Sequence, residues 1–339
     1  MTDLINITIN FFLKMNLSSF AVLHYLYYNQ SKKKRGLRMI YKQREMTGEL
    51  RLLHALDRRL TLSPKDRKNY LHLLKGLKGE RRFDQLLNNL KCDHIQIHDL
   101  LLEHNGTVFQ IDTLLITKEK VFVYEVKNYQ GEFFFDQERF FKVPRQEIMN
   151  PLHQIGRSAP ALTQLLRKHG FNLPIQFYVV FVNPEFTLFH AEQDTPIILP
   201  TQISDHLRML NGFGSQLNQT HKHLAEKLVE LHLNESPYQN RPEYEYDEVK
   251  KGVVCGGCGA MNVESSKRNI RCSQCEHIET VNDMVVRHVE EFKMLYPNKK
   301  VTTMGIYDWT GGLVSTESIH YMLNKNFMKK NNKRWTYFE

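Results

Sequence analysis

Val108-Phe109-Gln110-Ile111-Asp112-Thr113-Leu114-Leu115-Ile116-Thr117-Lys118-Glu119-Lys120-Val121-Phe122-Val123-Tyr124-Glu125-Val126-Lys127 is the stretch on which the fold turns. Residues 108–117 and 121–127 are rich in β-branched, aromatic and aliphatic side chains, which favours strands. So short a connection joins neighbouring antiparallel strands as a hairpin. With Lys118-Glu119 at the turn, Thr117 faces Lys120, and the register then sets Asp112 opposite Glu125. Period-two alternation puts Glu125 and Lys127 on one face. A two-residue slip would bring Asp112 opposite Lys127 on that same face, whereas a one-residue slip would separate the three groups.

Two carboxylates and a lysine at this spacing suit metal-dependent phosphodiester chemistry. Carboxylate oxygens of Asp112 and Glu125 can hold Mg2+ or Mn2+, which keep some waters and accept a phosphate oxygen. The metal lowers the pKa of a bound water and neutralises phosphate charge. Lys127 can orient the attacking water or stabilise the pentacovalent state. An ordinary ion pair of Lys127 with Asp112 or Glu125 on an edge strand would account for the same three residues.

The flanking sequence narrows the choice. Leu77-Lys78-Gly79-Glu80-Arg81 lies in a helical stretch continued by Phe83, Leu86, Leu87 and Leu90 at helical spacing. Asn150-Pro151-Leu152-His153-Gln154-Ile155-Gly156-Arg157 opens another helix, with Leu162, Leu165 and Leu166 on one face. Residues 175–182 form a near-continuous apolar run, as in a buried strand. The order is helix, three strands, helix, strand. Taken singly, Glu80 reads as a first-turn helix acid and His98 and His153 as structural histidines, while Gln154 and Arg157 read equally as a solvated face and Asn128 to Gly131 as a turn.

Together these pieces resemble the NERD (nuclease-related) domain of the PD-(D/E)xK nuclease superfamily. The resemblance rests on Gly79-Glu80, His98-Asp99-Leu100, Gln110-Ile111-Asp112, Glu125-Val126-Lys127-Asn128-Tyr129 with Gly131, Asn150-Pro151 with Gln154, and Val179-Val180-Phe181 with Asn183-Pro184. It covers about Gly79 to Pro184 and departs from the family at Thr113, where histidine or another polar residue is frequent. It implies an α/β (α+β) restriction-endonuclease-like core, a central mixed sheet flanked by helices. It also implies an active centre of Glu80, Asp112, Glu125 and Lys127, with Gln154 nearby.

The 339 residues suggest two or three domains. Hydrophobic residues make up 41%, enough for a real core. Of the formal net charge of +9, the first 38 residues carry +5: six bases (Lys14, Lys32, Lys33, Lys34, Arg35, Arg38) against Asp3, leaving +4 elsewhere. Whole-chain charge is therefore weak evidence for nucleic-acid binding. The run from Ile9 to Tyr28 is apolar but broken by Asn10, Lys14, Asn16, Ser18, Ser19 and His24, poor material for a span that needs about 20 apolar residues. Residues 1–38 are read as an over-extended start or a weak anchor, with a membrane partner not expected. Residues 39–78 are read as a helical lead-in packing on the nuclease core, with Ser63-Pro64 starting a helix, and 79–234 as the nuclease-like domain. A linker is placed at 235–251.

Beyond it, Cys255-Gly256-Gly257-Cys258 and Cys272-Ser273-Gln274-Cys275 are two C-x-x-C pairs separated by thirteen residues. This spacing predicts a structural zinc site of four cysteine thiolates on two knuckles, a zinc ribbon over 252–281. Two disulfides are the other possibility. With only Cys92 left over and no convincing secretion signal, zinc in a cytoplasmic protein is the preferred reading. The tail, 282–339, is expected to be helical and helix-turn-helix-like around Ile306 to Ile319. Lys325, Lys329, Lys330, Lys333 and Arg334 beyond it could meet phosphates. The expectation is a Mg2+-dependent nuclease acting on DNA, its nucleic-acid binding assisted by the ribbon. The alternative is a nucleic-acid-binding protein that uses the nuclease fold as a non-catalytic platform; a membrane-tethered factor is a third.

Overall fold

The structure is a computed structural model that describes residues 37–339 apart from 215, 235–240, 267 and 333–334. The expected N-terminal extension, but for its last two residues, and the first part of the expected linker lie outside the described residues. The chain divides into two compact units. One comprises the residues up to Glu45 and Lys75–Ser236; the other comprises Met46–Leu74 and Pro237–Glu339.

From Arg38 the elements run β1 (Arg38–Lys42), α1 (Gly48–Asp57), α2 (Pro64–Leu87), β2 (His94–His104), β3 (Thr107–Ile116), β4 (Val121–Lys127), β5 (Gly131–Asp136), β6 (Arg139–Lys142) and β7 (Gln146–Ile148). Then come α3 (Leu152–Lys168), β8 (Ile175–Phe181), β9 (Phe186–Phe189), β10 (Ile197–Ile198), α4 (Ile203–Leu210) and α5 (Gln219–Glu230). The first unit is built on a six-stranded mixed sheet ordered β1-β2-β3-β4-β8-β10. β2, β3 and β4 form an antiparallel meander, while β1, β8 and β10 pair in parallel. Leu162, Leu165 and Leu166 of α3 and Leu224, Ala225 and Leu228 of α5 cover one face. Phe83 and Leu87 of α2 and Ile203 and Leu210 of α4 cover the other. This is the α/β core with a central mixed sheet and flanking helices expected from the sequence.

The meander has the expected register. Thr117 N–H donates to Lys120 O at 2.9 Å, and Ile116, Leu115, Leu114 and Thr113 pair with Val121, Phe122, Val123 and Tyr124 in turn. One departure bears on the site. In β2 the side chains entering the α3/α5 cluster switch from Ile95 and Ile97 to Leu100 and Leu102, around Asp99 at φ 55°. In β3 they switch from Ile111 to Leu114 and Ile116, around Asp112. Simple alternation fails at one level on both strands, a local irregularity of the kind that re-aims a side chain at a functional site.

Three elements differ from expectation. Residues 38–42 form an edge strand rather than part of a helical lead-in. The end of the helical lead-in and the helical stretch around Glu80 are one helix, α2, which runs through Gly76 and Gly79. Residues 131–148, with β9, form a second sheet ordered β7-β6-β5-β9. It packs Phe133 and Phe140 against Phe181 and Phe186.

In the second unit, α1 contacts α6 (Val281–Leu295). Strands β11 (Val263–Ser265), β12 (Asn269–Cys272) and β13 (Ile278–Thr280) form an antiparallel sheet beside the cysteines. Helices α7 (Thr303–Trp309) and α8 (Thr316–Asn326) follow α6, and the chain closes with the hairpin β14 (Lys329–Asn332) and β15 (Trp335–Phe338). Arg59 is the polar anchor of this unit. It pairs with Glu291 at 2.6 Å, donates to the carbonyls of Lys250 and Gly252, and lies 4.0 Å over the Trp309 ring.

Candidate active site and metal centre

The site lies where β3 and β4 part. Their paired register reaches Thr113 and Tyr124, and one step further the side chain of Asp112 takes over. Its Oδ2 accepts from Val126 N–H at 2.7 Å, satisfying a donor beyond the end of the paired register. Asp112 is only 8% exposed. Glu125 and Lys127 continue the face of β4 that carries Val121 and Val123. Lys127 Nζ donates to Glu125 Oε1 at 2.7 Å and to Gln154 Oε1, from the first turn of α3, at 2.5 Å. Gln154 is thus a partner of the lysine and not merely a solvated position, while His153 and Arg157 are exposed.

Glu80 comes from α2. A Cβ on Gly79 would sit 2.4 Å from the Cβ of Asn128, and Asn128 Nδ2 donates to Lys75 O at 2.8 Å. The glycine therefore lets the helix backbone approach the end of β4. Glu80 Oε2 accepts from Arg44 Nη1 at 2.7 Å. Arg44 also grips Asp84 through Nε at 2.8 Å and Nη2 at 3.1 Å, and its Nη2 donates to Asp112 O at 2.6 Å and Thr113 Oγ1 at 2.8 Å. Its side chain is 3% exposed.

Behind Asp84 runs a buried polar line on β2. His98 Nδ1 lies 3.1 Å from Asp84 Oδ1, and His98 Nε2 is 3.2 Å from Gln96 Oε1. Gln96 Nε2 is 2.9 Å from His94 Nε2, and His94 Nδ1 donates to Cys92 O at 2.8 Å. His98 is buried in this line, between Asp84 and Gln96. The sequence alone does not single out Arg44 or Asp84. Nothing local marks Arg44, which lies 36 to 69 residues from its partners; Asp84, four residues after Glu80 on α2, carried a weak signal as a same-face acid.

Electrostatics follow from this packing. Burial, then the charge of Asp112, pushes Glu80 up to about 7. Burial, then Glu125, pushes Asp112 up to about 7. For Lys127, burial works against the charge, but the charge and hydrogen bond of Glu125 outweigh it and hold the ammonium above its usual range. Burial likewise opposes ionisation of Asp84, yet its bonds to His98 and Arg44 keep it below the usual carboxylate range. Asp112 and Glu125 offer the hard-oxygen donor set that Mg2+ takes, one or two carboxylates with water and phosphate completing its shell. Glu80 is taken up by Arg44.

Among the described residues, one group of three or more ligating side chains converges within 4.8 Å: Cys255, Cys258, Cys272 and Cys275. The Sγ atoms of Cys255 and Cys275 are 3.7 Å apart and those of Cys258 and Cys272 are 3.6 Å apart. Tetrahedral Zn–S bonds of about 2.3 Å require sulfur separations of roughly 3.8 Å. All four thiols are free, so the cluster can hold a metal ion such as zinc. Gly257 N–H and Gln274 N–H point to Cys255 and Cys272 Sγ at 3.3 and 3.4 Å. Each knuckle turns on the residue after its second cysteine, Gly259 at φ 80° and Glu276 at φ 60°. A side chain at Gly259 would also collide with Arg58.

Residues 75–182 match the family model described as the nuclease-related domain (NERD). The match begins where the chain enters the first unit at Lys75, and leaves Arg44 and β1 outside it. No curated protein and no solved structure matches the chain. No described helix is long and apolar enough to cross a membrane.

Proposed function

We propose, taking as premise the nuclease-related domain carried by the first unit, that the chain is a metal-dependent nuclease that hydrolyses phosphodiester bonds in DNA. The observation that carries this reading is the setting of Lys127, bonded to both Glu125 and Gln154 on the face of β4 where Asp112 is buried. A lone strand ion pair needs neither the glutamine nor the buried aspartate.

Asp112 and Glu125 would hold Mg2+ or Mn2+, which supplies Lewis acidity and a more acidic bound water. Lys127, kept charged by Glu125, is unsuited to act as a base; it places positive charge against the phosphate in the transition state. Gln154 fixes the rotamer of Lys127, and Glu80, held by Arg44, completes the site through water. Water oxygen joins phosphorus as the ester P–O bond breaks, leaving a phosphate monoester and a free hydroxyl. The cysteine cluster takes zinc as a structural ion in a ribbon that assists nucleic-acid binding. Four free thiols close enough to share one metal ion suit a reducing compartment, which favours a cytoplasmic protein.

The competing reading, a nucleic-acid-binding platform without catalysis, draws on Glu80 being neutralised by Arg44. Incubation with supercoiled, linear and single-stranded DNA and with RNA, with and without Mg2+ or Mn2+, separates the two. Divalent-dependent cleavage lost in both Asp112→Ala and Lys127→Ala is expected. Binding without cleavage under every condition would establish the platform, and equal cleavage by all three proteins would expose a contaminant.

A further inference from the structure

The last 59 residues form more than a pair of helices around a turn. Helices α6, α7 and α8 touch one another pairwise. Between α6 and α7, Val301 pairs antiparallel with Phe338, whose N–H donates to Val301 O at 2.9 Å. Phe338 also pairs with Lys329 in the closing hairpin. The order is therefore helix, single-residue strand, helix, turn, helix, hairpin, with β15 between Val301 and β14. This is the topology of a winged helix, a helix-turn-helix with a β-ribbon beside its second helix. The turn is made by Gly311 and Gly312 at φ 66° and 69°, and Ser315 caps α8 by accepting from Ser318 N–H.

α8 is anchored by Ile319 and Leu323, both fully buried, and turns Glu317, His320, Tyr321, Asn324 and Lys325 outward at helical spacing. Tyr321 is 63% exposed. Near this face in sequence the chain is basic, with Lys299 and Lys300 before α7 and Lys329 and Lys330 on the hairpin, Lys330 lying 3.6 Å from Glu339. Its acids between α6 and the hairpin are Asp308, which accepts from Tyr246 OH at 2.6 Å, and Glu317 in the first turn of α8. An exposed helix bearing hydrogen-bonding side chains, flanked by lysines, is complementary to a groove edged by phosphates. At about 10–12 Å across with its side chains, α8 is narrow enough to lie in the B-form major groove, roughly 12 Å wide. The A-form major groove of double-stranded RNA is too narrow to admit a helix.

We infer that residues 281–339 are a winged-helix module that binds duplex DNA, with α8 in the major groove and the β14–β15 hairpin on the adjoining phosphates. The inference rests on the nuclease reading only in taking nucleic acid as the partner, and it names double-stranded DNA as the substrate. It is tested by fluorescence anisotropy on full-length Glu125→Gln, which keeps the DNA intact, with duplex DNA, single-stranded DNA and double-stranded RNA of one sequence. Duplex DNA is expected to bind best. Adding Tyr321→Ala with Asn324→Ala should weaken duplex binding roughly 10-fold. Adding Lys329→Ala with Lys330→Ala should lower the slope of log K against log salt by about 1 to 2, near one per lost phosphate contact, since Lys330 is shared with Glu339. Lys293→Ala on α6, paired with Glu290, should change neither. Circular dichroism and the melting temperature confirm that these surface variants fold. Duplex affinity and salt slope unchanged by both double substitutions would overturn the inference. So would a tail-dependent preference for single strands or RNA, or no DNA binding at all. Wild-type cleavage is scored separately, so intact binding without cleavage counts against the nuclease reading and leaves the winged helix standing.

Discussion

Arg44 gathers Glu80, Asp84, the Asp112 carbonyl and Thr113 around one buried guanidinium. Removing it strands two partly buried carboxylates, and breaking such a pair costs about 3–5 kcal/mol. Arg44→Lys should recover little, because an ammonium cannot reproduce the bidentate grip on Asp84 while also reaching Glu80. Urea melts check this, and a lysine variant as stable as wild type would refute the clamp. A second expectation concerns protons. Glu80 and Asp112 both stand near 7 when folded, above their ordinary 4.5 and 3.8. Between about pH 4 and 7 the metal-free folded chain therefore binds protons that the unfolded chain has released, so these two groups contribute less stability as pH rises through that window. A cation held between Asp112 and Glu125 needs the Asp112 carboxylate ionised, so Mg2+ should bind more tightly as pH rises towards 7 and release protons as it binds. Calorimetry in buffers of different ionisation heat would show this; Mg2+ affinity independent of pH from about 5 to 7.5 would contradict it.

α2 and β4 meet at Gly79 and Asn128 with no room for a Cβ. Gly79→Ala should force the helix away from the strand, costing about 1–3 kcal/mol as an overpacked contact does and displacing Glu80, with cleavage falling more than substrate binding. Wild-type stability and cleavage in that variant would mean the contact relaxes freely. The knuckles give a parallel case. Glu276 adopts φ 60° where the first knuckle has Gly259, so Glu276→Gly should be tolerated and raise stability slightly by removing a left-handed non-glycine residue. At Gly259 alanine should destabilise, since it meets a positive φ, while the flexible Arg58 guanidinium can move aside. Thermal melts of the two variants in zinc-containing buffer distinguish the positions.

The described residues divide into two compact units, and the four thiols lie in the second. Removing zinc with a strong chelator should therefore lower the melting transition of the second unit and leave that of the first in place, because metal-binding free energy stabilises the fold that supplies its ligands. Calorimetry of the full chain, with zinc content measured alongside, tests it. Equal loss in both transitions, or none in protein shown to be zinc-free, would argue against a structural ion. The winged helix also lies in the second unit, so chelation should weaken duplex binding to the extent that it unfolds that unit.

Much of this molecule could be read from neighbouring residues. The hairpin register from Ile116–Val121 to Thr113–Tyr124 follows from a short turn between two strand-forming runs, and the paired cysteines declare themselves by spacing. Both are properties of a few contiguous residues, so the chain carries them wherever it folds. Glu80 and Gln154 were legible only through resemblance, since alone each is an ordinary helix polar residue. Arg44, the break in alternation at Asp99 and Asp112, the second sheet at 131–148 and the pairing of Val301 with Phe338 left no local trace. Each depends on partners tens of residues away or on a backbone turn that several sequences allow. Long-range contacts of that kind are chosen by which arrangement buries the apolar faces and satisfies every polar group at once, a condition met by the assembled fold and by no segment alone.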